Sequence, residues 1–178
     1  MPALTVHLAI AKKYLENYPE EDRESFISGS IAPDFGYDKI SNHYGKEFDK
    51  ITCLEEYVCS IVDYDEYLKH NKLDTSYNRG FFLHLLTDYI FYYDFLNNNH
   101  IKGLNLNEII NIGCKDFNSI ASYIIKKYGL EIPDIAKDII KYSNDKPKIL
   151  KKEDIVNFIE FMSNTNLNNY KSMVRLKK

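Results

Sequence analysis

The segment from Gly80 to Asp88 reads Gly-Phe-Phe-Leu-His-Leu-Leu-Thr-Asp, so one imidazole and one carboxylate stand in a stretch that is otherwise almost entirely apolar. A helix drawn through it is apolar on every face, which is typical of a helix buried in a core. One stripe of that helix carries His84 and Asp88 at its centre, with aromatic residues on either side of them: Tyr77, Phe81, Phe91 and Phe95. The chain is therefore expected to fold around a central buried helix that contains a polar pair.

His84 and Asp88 lie four residues apart, so on a helix both side chains can reach a single point. A buried carboxylate needs a cation or several hydrogen-bond donors, or else it is neutralised. A metal ion is one such cation, and histidine with aspartate at this spacing is typical of a metal site. The alternative is a structural pair, in which the two side chains bond to each other and to their neighbours.

The hydrophobic pattern is helical nearly throughout the 178 residues, and Gly and Pro fall mostly between the periodic segments. It predicts helices over about 5–18, 20–28, 53–70, 75–96, 105–128, 133–142 and 152–162. We find no internal repeat and no strand hairpin. The sequence therefore predicts an all-α fold, a single-domain bundle of about six or seven helices around the buried helix that carries His-x-x-x-Asp.

This single domain, residues 1–178, is expected to hold its metal site in residues 1–96 and further helices in residues 104–165. The last stretch, residues 166–178, is rich in Asn and Lys and is expected to be loosely held. Between Gly29 and Lys50 the pattern has no clean period, which predicts a long ordered loop. Loops of this length in compact domains are often functional.

Composition narrows the class of protein. Proteins that bind duplex nucleic acid usually carry a basic surface, and a net charge of −3 with a pI of about 6.0 does not indicate one. The three cysteines form no Cys-x-x-Cys pair, and their odd number argues against a disulfide framework. No secretory signal precedes the first helix, and no apolar run is long enough to span a bilayer. We expect a cytoplasmic protein without a transmembrane segment.

Three further residues are candidate metal ligands. His7 lies on the apolar face of the first helix, Asp34 follows a proline that keeps the preceding residue extended, and His43 lies in the long loop. Singly, each has an ordinary interpretation as a core, turn or surface residue. Together with His84 and Asp88 they form a mixed His and Asp set that suits one or two Zn²⁺ ions, and also Fe²⁺ or Mn²⁺. In a two-ion site, Asp88 would bridge the ions.

The order of these residues resembles that of the zinc-dependent phospholipase C family, which shares its all-α fold with the single-strand-specific zinc nucleases. The motifs span roughly residues 1–96 and are His7, Ala-Pro-Asp34, Ser-Asn-His43-Tyr44 and His84-Leu-Leu-Thr-Asp88. The resemblance implies one ion held by all the candidate ligands except His7, and a second ion held in part by His7 and Asp88. It also implies that Asp34 is the catalytic base.

In the secreted members of this family the mature N-terminal amine is also a ligand. Removal of Met1 would give Pro2 a comparable place, five residues before His7. Those enzymes build a third zinc position from His and Glu residues downstream, where this chain offers Asp94 and then His100, with no His-x-x-x-Glu pair. The chain also has no Trp. It is similar to a trimmed, intracellular relative with one or two metals.

The function expected from these residues is metal-dependent hydrolysis of a phosphoester, with a phosphodiester as the expected substrate. A metal-activated water, deprotonated with help from Asp34, would attack phosphorus while the ions stabilise the developing charge. The substrate would be a small phosphoester or a phospholipid headgroup, and peripheral membrane contact stays open. Three residues near the site are candidates for the substrate pocket, although aromatic stripes are more often core: Tyr44, Phe91 and Tyr92.

A non-catalytic alternative stays open, in which a metal or a buried His–Asp network stabilises a helical protein. Structural metal sites are closed by protein ligands, whereas catalytic sites keep a position for water. A phosphohydrolase of the His-Asp type is disfavoured, because that class needs a contiguous His-Asp pair and the sequence has none.

Overall fold

The computed structural model describes residues 2–36, 38–96 and 105–174, and this part of the chain contains helices and loops but no strand. The helices are α1 (Leu4–Asn17), α2 (Arg23–Ile31), α3 (Lys39–Asn42), α4 (Leu54–Ile61), α5 (Tyr64–His70), α6 (Ser76–Ile90), α7 (Leu106–Tyr128), α8 (Lys152–Ser163) and α9 (Tyr170–Val174). Short 3-10 turns cover Ala32–Asp34, Asp134–Ala136 and Leu167–Asn169, and α6 continues into a π-helical turn, Phe91–Leu96. The prediction of an all-α single domain is confirmed.

Helix α6 is the buried central helix that the sequence predicts. Every side chain from Phe82 to Asp88 is buried. The helix begins after Thr75, whose side-chain oxygen accepts a hydrogen bond from the Asn78 N–H. The Thr87 hydroxyl donates to a carbonyl one turn earlier in the same helix, so this buried hydroxyl is satisfied. Among the described buried side-chain atoms of α6, the two oxygens of Asp88 are the ones that lack a hydrogen-bond partner.

The backbones of α2 and α6 approach each other very closely. A Cβ atom added to Gly80 would lie 2.0 Å from the Phe26 carbonyl oxygen, and one added to Gly29 would lie 2.1 Å from the Tyr77 carbonyl oxygen. Both distances are far inside van der Waals contact, so only glycine allows this approach. It brings the C-terminal end of α2 against the polar face of α6.

The hydrophobic core surrounds α1 and α6. Helix α1 is buried from Leu4 to Ala11 and packs against α2, α6, α7 and α8. The largest fully buried aromatic side chains are Tyr14, Phe26, Phe82, Phe91 and Phe117. Each buried side chain of this size contributes about 1.5–3 kcal/mol to the free energy of unfolding relative to an exposed one.

The single helix predicted over residues 53–70 is wrong, because the chain forms two helices there. Val62 is extended, with φ −152° and ψ 131°. The Asp63 carboxylate then caps α5 by accepting a 3.0 Å hydrogen bond from the Glu66 N–H. At the start of α4, the Thr52 N–H and hydroxyl both bond to Glu56. An aspartate N-cap inside an apolar pattern therefore starts a new helix.

The helix predicted over residues 133–142 is also wrong, since only the three-residue turn Asp134–Ala136 forms. The segment that follows bonds to α7 instead of to itself. The Ser143 N–H donates to the Asn118 carbonyl, and the buried Asp116 carboxylate accepts three backbone N–H groups, from residues 148, 149 and 150. These tertiary hydrogen bonds replace the helical ones.

Helix α7 agrees with its prediction at both ends. The Asn105 side chain accepts from the Glu108 N–H, and the Glu108 carboxylate accepts from the Asn105 N–H. Gly129 ends the helix with a φ of 55°. Beyond α8, Leu167 is fully buried, so the described part of the C-terminal segment also contributes to the core.

Candidate metal centre

Four separate elements bring the five predicted ligands together. His7 comes from α1, Asp34 from the first 3-10 turn, His43 from the end of α3, and His84 and Asp88 from α6. All five side chains are buried, and Asp34 is the most exposed of them at 6%. Ionisable side chains are almost never buried unless they are paired or bound to a metal. Their burial at one place therefore requires a common partner.

Asp34 is positioned differently from its prediction. The residue before Pro33 is not extended, because Ala32 is in the right-handed helical region with φ −55° and ψ −38°. Pro33 instead lies in the first turn of the 3-10 segment, where a missing N–H costs little. The Phe35 N–H closes the turn on the Ala32 carbonyl. Asp34 is thus held at the end of a rigid turn that continues directly from α2.

His43 is positioned by a helix that the sequence did not reveal. Residues 29–50 were expected to form one long loop, but α2 extends to residue 31 and α3 forms after it. Asp38 caps α3 by accepting from the Ser41 N–H at 3.0 Å. Tyr44 then ends the helix with a left-handed φ of 60°, a conformation that tyrosine rarely adopts. The Asp63 N–H donates to the His43 carbonyl and holds this end against the start of α5.

Backbone carbonyls decide which ring nitrogen faces the site in two of the histidines. His84 Nδ1 lies 2.8 Å from the Ser30 carbonyl oxygen, and His43 Nδ1 lies 2.6 Å from the Lys39 carbonyl oxygen. A carbonyl oxygen only accepts, so both Nδ1 atoms must carry the hydrogen. In the neutral rings both Nε2 atoms then present lone pairs, as metal-ligating histidines do.

The two lone-pair nitrogens face the same carboxylate oxygen and each other. His43 Nε2 lies 3.1 Å from His84 Nε2, and Asp88 Oδ2 lies 3.3 Å from the first and 3.5 Å from the second. Zinc–nitrogen bonds of 2.0–2.1 Å in a tetrahedron separate ligand atoms by about 3.3–3.4 Å. The three donor atoms therefore have the spacing of zinc ligands. Asp34 Oδ1 lies 3.8 Å from His43 Nε2, close enough to join them.

His7 adds a fourth imidazole-to-carboxylate contact on the other side of Asp88. Its Nε2 lies 3.2 Å from Asp88 Oδ1, and its ring stacks on that of His84 with centroids 3.7 Å apart. The 3.2 Å approach has the distance of an ion pair but not the angles of a hydrogen bond, so both ring nitrogens of His7 and both oxygens of Asp88 lack hydrogen-bond partners. Buried orphaned atoms of this kind fit a metal site with Asp88 shared between two groups of ligands.

Electrostatics distinguish the two stacked histidines. Burial lowers the pKa of His7 below 6.5, and the neighbouring His84 lowers it further. Burial also lowers the pKa of His84, but the carboxylates of Asp88 and Asp34 outweigh it and raise that pKa above 6.5. For Asp88, burial favours the neutral acid, yet His84 and the other two histidines hold its pKa well below 3.8. The site therefore favours the ionised form of Asp88, and a cation must balance its charge.

A cleft of about 300 Å³ reaches this site at Asp34. Its wall comes from the residues around the start of α1, from α3, from α7 and from the segment after residue 138. The lining residues are Pro2, Ala3, Leu4, Thr5, Asp34, Lys39, Cys114, Phe117, Asn118, Ala121, Ile139, Ile140 and Lys141. Among the five candidate ligands, Asp34 is the one that this cleft exposes to a substrate.

The aromatic residues predicted for the substrate pocket do not line this cleft. Phe91 and Tyr92 are 1% and 4% exposed and pack within the core. Tyr44 packs edge-on against Tyr67 and Phe81. All three lie where their commoner structural interpretation places them.

Two further predicted positions fall at the edge of what the structure describes. Pro2 is buried and lines the cleft, next to α1. Asp94 lies in the π-helical turn, but its side chain is outside the described part of the structure, and His100 lies outside the described residues altogether.

The sequence interpretation missed the far wall of the site. It restricted the metal centre to residues 1–96, whereas Cys114, Phe117 and Lys141 line the cleft beside Asp34. It also missed the hydrogen bond from His43 Nδ1 to the Lys39 carbonyl, although residues four apart on a helix lie close together. The Ser30 carbonyl had no sequence signal, because any residue provides one.

Within the described residues, none of the helices has the length and apolarity needed to cross a membrane. A search of curated proteins and a search of solved structures each gave no match. A family model described as zinc dependent phospholipase C matches residues 6–170. That match extends past the motifs of residues 1–96 and includes α7, α8 and the elements that complete the cleft. The chain belongs to the zinc-dependent phospholipase C family.

Proposed function

We propose that this protein is a zinc-dependent hydrolase that cleaves a phosphodiester, in the manner of a phospholipase C. The observation that carries the proposal is the convergence of His43 Nε2, His84 Nε2 and Asp88 Oδ2 at 3.1–3.5 Å, beside a cleft that reaches Asp34. Lone pairs and a buried anion at these distances need a cation, and a substrate needs access to it. Family membership supports zinc as that cation.

His43, His84 and Asp88 would hold one ion, with Asp34 beside them, and His7 with Asp88 would contribute to a second. Bound zinc supplies an activated water and neutralises charge on the phosphoryl oxygens. Asp34 is the residue suited to accept the proton of the attacking water, because it lies 3.8 Å from the ligand atom of His43 and also lines the cleft. The backbone carbonyls of Ser30 and Lys39 keep both rings in the tautomer that binds metal.

The non-catalytic alternative predicts a site sealed by protein ligands. Two observations favour catalysis over it. Asp34 is part of the wall of a cleft, and the cleft volume of about 300 Å³ is at the lower end of the range for small-molecule sites.

The first test is the metal content per chain by elemental analysis, on protein purified without a His tag or chelator. We expect one to two equivalents of zinc in the wild type and a loss of zinc in His84→Ala. His70→Ala is the matched control, because His70 is exposed and, among the described residues, its side chain bonds only to Glu66. Absence of metal after reconstitution would leave the non-catalytic alternative.

The second test is hydrolysis of bis(4-nitrophenyl) phosphate and of phospholipid vesicles by Asp34→Asn. Removal of a general base lowers kcat by about 10²- to 10⁴-fold, and we expect a loss of that size with the fold and at least part of the zinc retained. Circular dichroism and metal analysis of the same variant separate a lost base from a lost site. Activity that persists in Asp34→Asn would remove Asp34 from the role of base.

A further inference from the structure

The cleft beside Asp34 has a positive character of its own. Lys39 from α3 and Lys141 from the segment before residue 143 both line it, and Asp34 is the only acid among the described residues that do so. The backbone of Lys39 is fixed relative to the metal centre, because its carbonyl accepts the 2.6 Å bond from His43 Nδ1. Both lysines therefore contribute to the wall of the cleft that contains the proposed base.

Within the part of the chain that the structure describes, these two lysines belong to the larger group that has no carboxylate partner. Carboxylates pair with four lysines elsewhere: Lys13, Lys46, Lys69 and Lys137. Within the described residues, neither Lys39 nor Lys141 has a carboxylate at ion-pair distance. Lys141 donates only to the Asp138 carbonyl, at 3.2 Å, which leaves further protons of its ammonium for a ligand.

The rest of the wall is poorly suited to a cationic headgroup. A quaternary ammonium is usually bound by several aromatic faces, or by carboxylates. Among the described residues of this wall, Phe117 is the only aromatic one, and the one carboxylate, Asp34, is engaged with the metal ligands. The remaining lining side chains are mostly aliphatic.

We infer that Lys39 and Lys141 bind an anionic or uncharged polar group next to the scissile phosphate, so that the protein selects anionic phosphoesters over choline esters. The inference rests on the proposed function, and it adds the substrate class. A volume of about 300 Å³ accommodates a headgroup rather than acyl chains, so a free ester and a lipid of the same headgroup chemistry fit equally.

Cys114 allows a binding test that needs no catalysis. It is exposed and lines the cleft, while Cys53 is exposed outside it and provides an internal reference. The rate of alkylation by iodoacetamide at each cysteine, followed by peptide mass spectrometry, would be measured with sn-glycerol 3-phosphate or with glycerophosphocholine. We expect glycerol phosphate to slow alkylation of Cys114 but not of Cys53, and glycerophosphocholine to do so only at higher concentration.

Variants connect this protection to the lysines. Lys39→Met and Lys141→Met should each raise the half-protecting concentration of glycerol phosphate by about five- to tenfold, the size of one lost hydrogen bond of ordinary strength. Lys137→Met is the matched control, since Lys137 is paired with Asp134 and does not line the cleft. The inference would be overturned if the two esters protected Cys114 equally, or if glycerol phosphate protected Cys114 in the variants as well as in the wild type.

Activity measurements then separate the two substrate sources and the two proposals. We expect higher kcat/KM on phosphatidylglycerol than on phosphatidylcholine vesicles, and on soluble glycerophosphoglycerol than on glycerophosphocholine. A preference limited to vesicles would mean attraction to the charged surface and would contradict the inference. Hydrolysis that favours choline esters would refute the inference alone. Lysine-dependent protection without any hydrolysis would refute the proposed function alone.

Discussion

At the scale of the residue, Asp88 organises the centre. It is fully buried, each of its oxygens faces at least one histidine nitrogen, and neither oxygen forms a hydrogen bond. A buried carboxylate in this state is stable only with positive charge beside it, from a metal or from protonated imidazole. Asp88 raises the pKa of both stacked histidines, but in His7 burial and the charge on His84 outweigh it.

We predict that in zinc-free protein His84 titrates above pH 6.5 and His7 below it. The carboxylates of Asp88 and Asp34 favour a charged His84, whereas burial and the charge on His84 disfavour one on His7. NMR titration of the imidazole carbon-bound protons measures both. The His84 contribution to stability is present below pH 6.5 and is lost as pH rises through its folded pKa, while the His7 contribution is lost as pH falls below 6.5.

Zinc should abolish both titrations, because it binds the unprotonated rings. Zinc affinity should accordingly weaken as pH falls through the pKa of His84. Two histidines that titrate together at pH 6.5, with or without zinc, would contradict the geometry described above. His70→Ala is again the control. Because His70 is exposed, this substitution should remove its NMR signal and leave those of His7 and His84 unchanged.

At the scale of the element, the contact between α2 and α6 places the ligands. Gly29 and Gly80 let the two backbones touch, and this contact puts the Ser30 carbonyl 2.8 Å from His84 Nδ1. The ligand tautomer thus depends on a helix-to-helix distance. The short turn after α2 then delivers Asp34 to the same point.

We predict that Gly80→Ala destabilises the protein by about 2–4 kcal/mol, because the new Cβ would lie 2.0 Å from a backbone oxygen that cannot move alone. Urea denaturation measures the loss, and zinc affinity should fall with it. Gly113→Ala is the matched control in α7, where a Cβ meets nothing within 4 Å. That variant should be stabilised by about 0.5–1 kcal/mol. Equal effects of the two substitutions would refute close packing at Gly80.

At the scale of the whole molecule, the site joins parts of the chain that are distant in sequence. Residues 7, 34, 43, 84 and 88 belong to α1, the first 3-10 turn, α3 and α6. A metal held by side chains of these elements stabilises their packing, since the unfolded chain cannot present the same site.

We predict that excess zinc raises the free energy of unfolding and that a chelator lowers it. For free zinc at about 1,000 times its dissociation constant, the gain is about 4 kcal/mol. Thermal unfolding with zinc and with chelator measures it. The dependence should vanish in His84→Ala and persist in His70→Ala. A zinc effect that survives in His84→Ala would place the metal elsewhere.

Periodicity predicted the helices whose stability depends on their own residues. The central helix, α7 with its capping box and glycine end, and α8 all form where the pattern indicated them. The prediction was wrong where longer-range partners intervene. The Asp63 N–H donates to the His43 carbonyl at the end of α3, and a new helix starts there inside a periodic run. Asp116 accepts from the backbone N–H groups of residues 148–150, about thirty positions away.

The sequence alone determined which residues are candidates for metal binding, because His84 and Asp88 share a helix face at any packing of that helix. It also proposed His7, Asp34 and His43 as further candidates and indicated the family, since residue type and order survive without coordinates. Tertiary structure alone decided the distances of 3.1–3.5 Å between donor atoms and the carbonyls that set the ring tautomers. It also decided the cleft wall from residues 114–141. The physical reason is that these contacts join residues tens of positions apart, and their geometry follows from how helices pack.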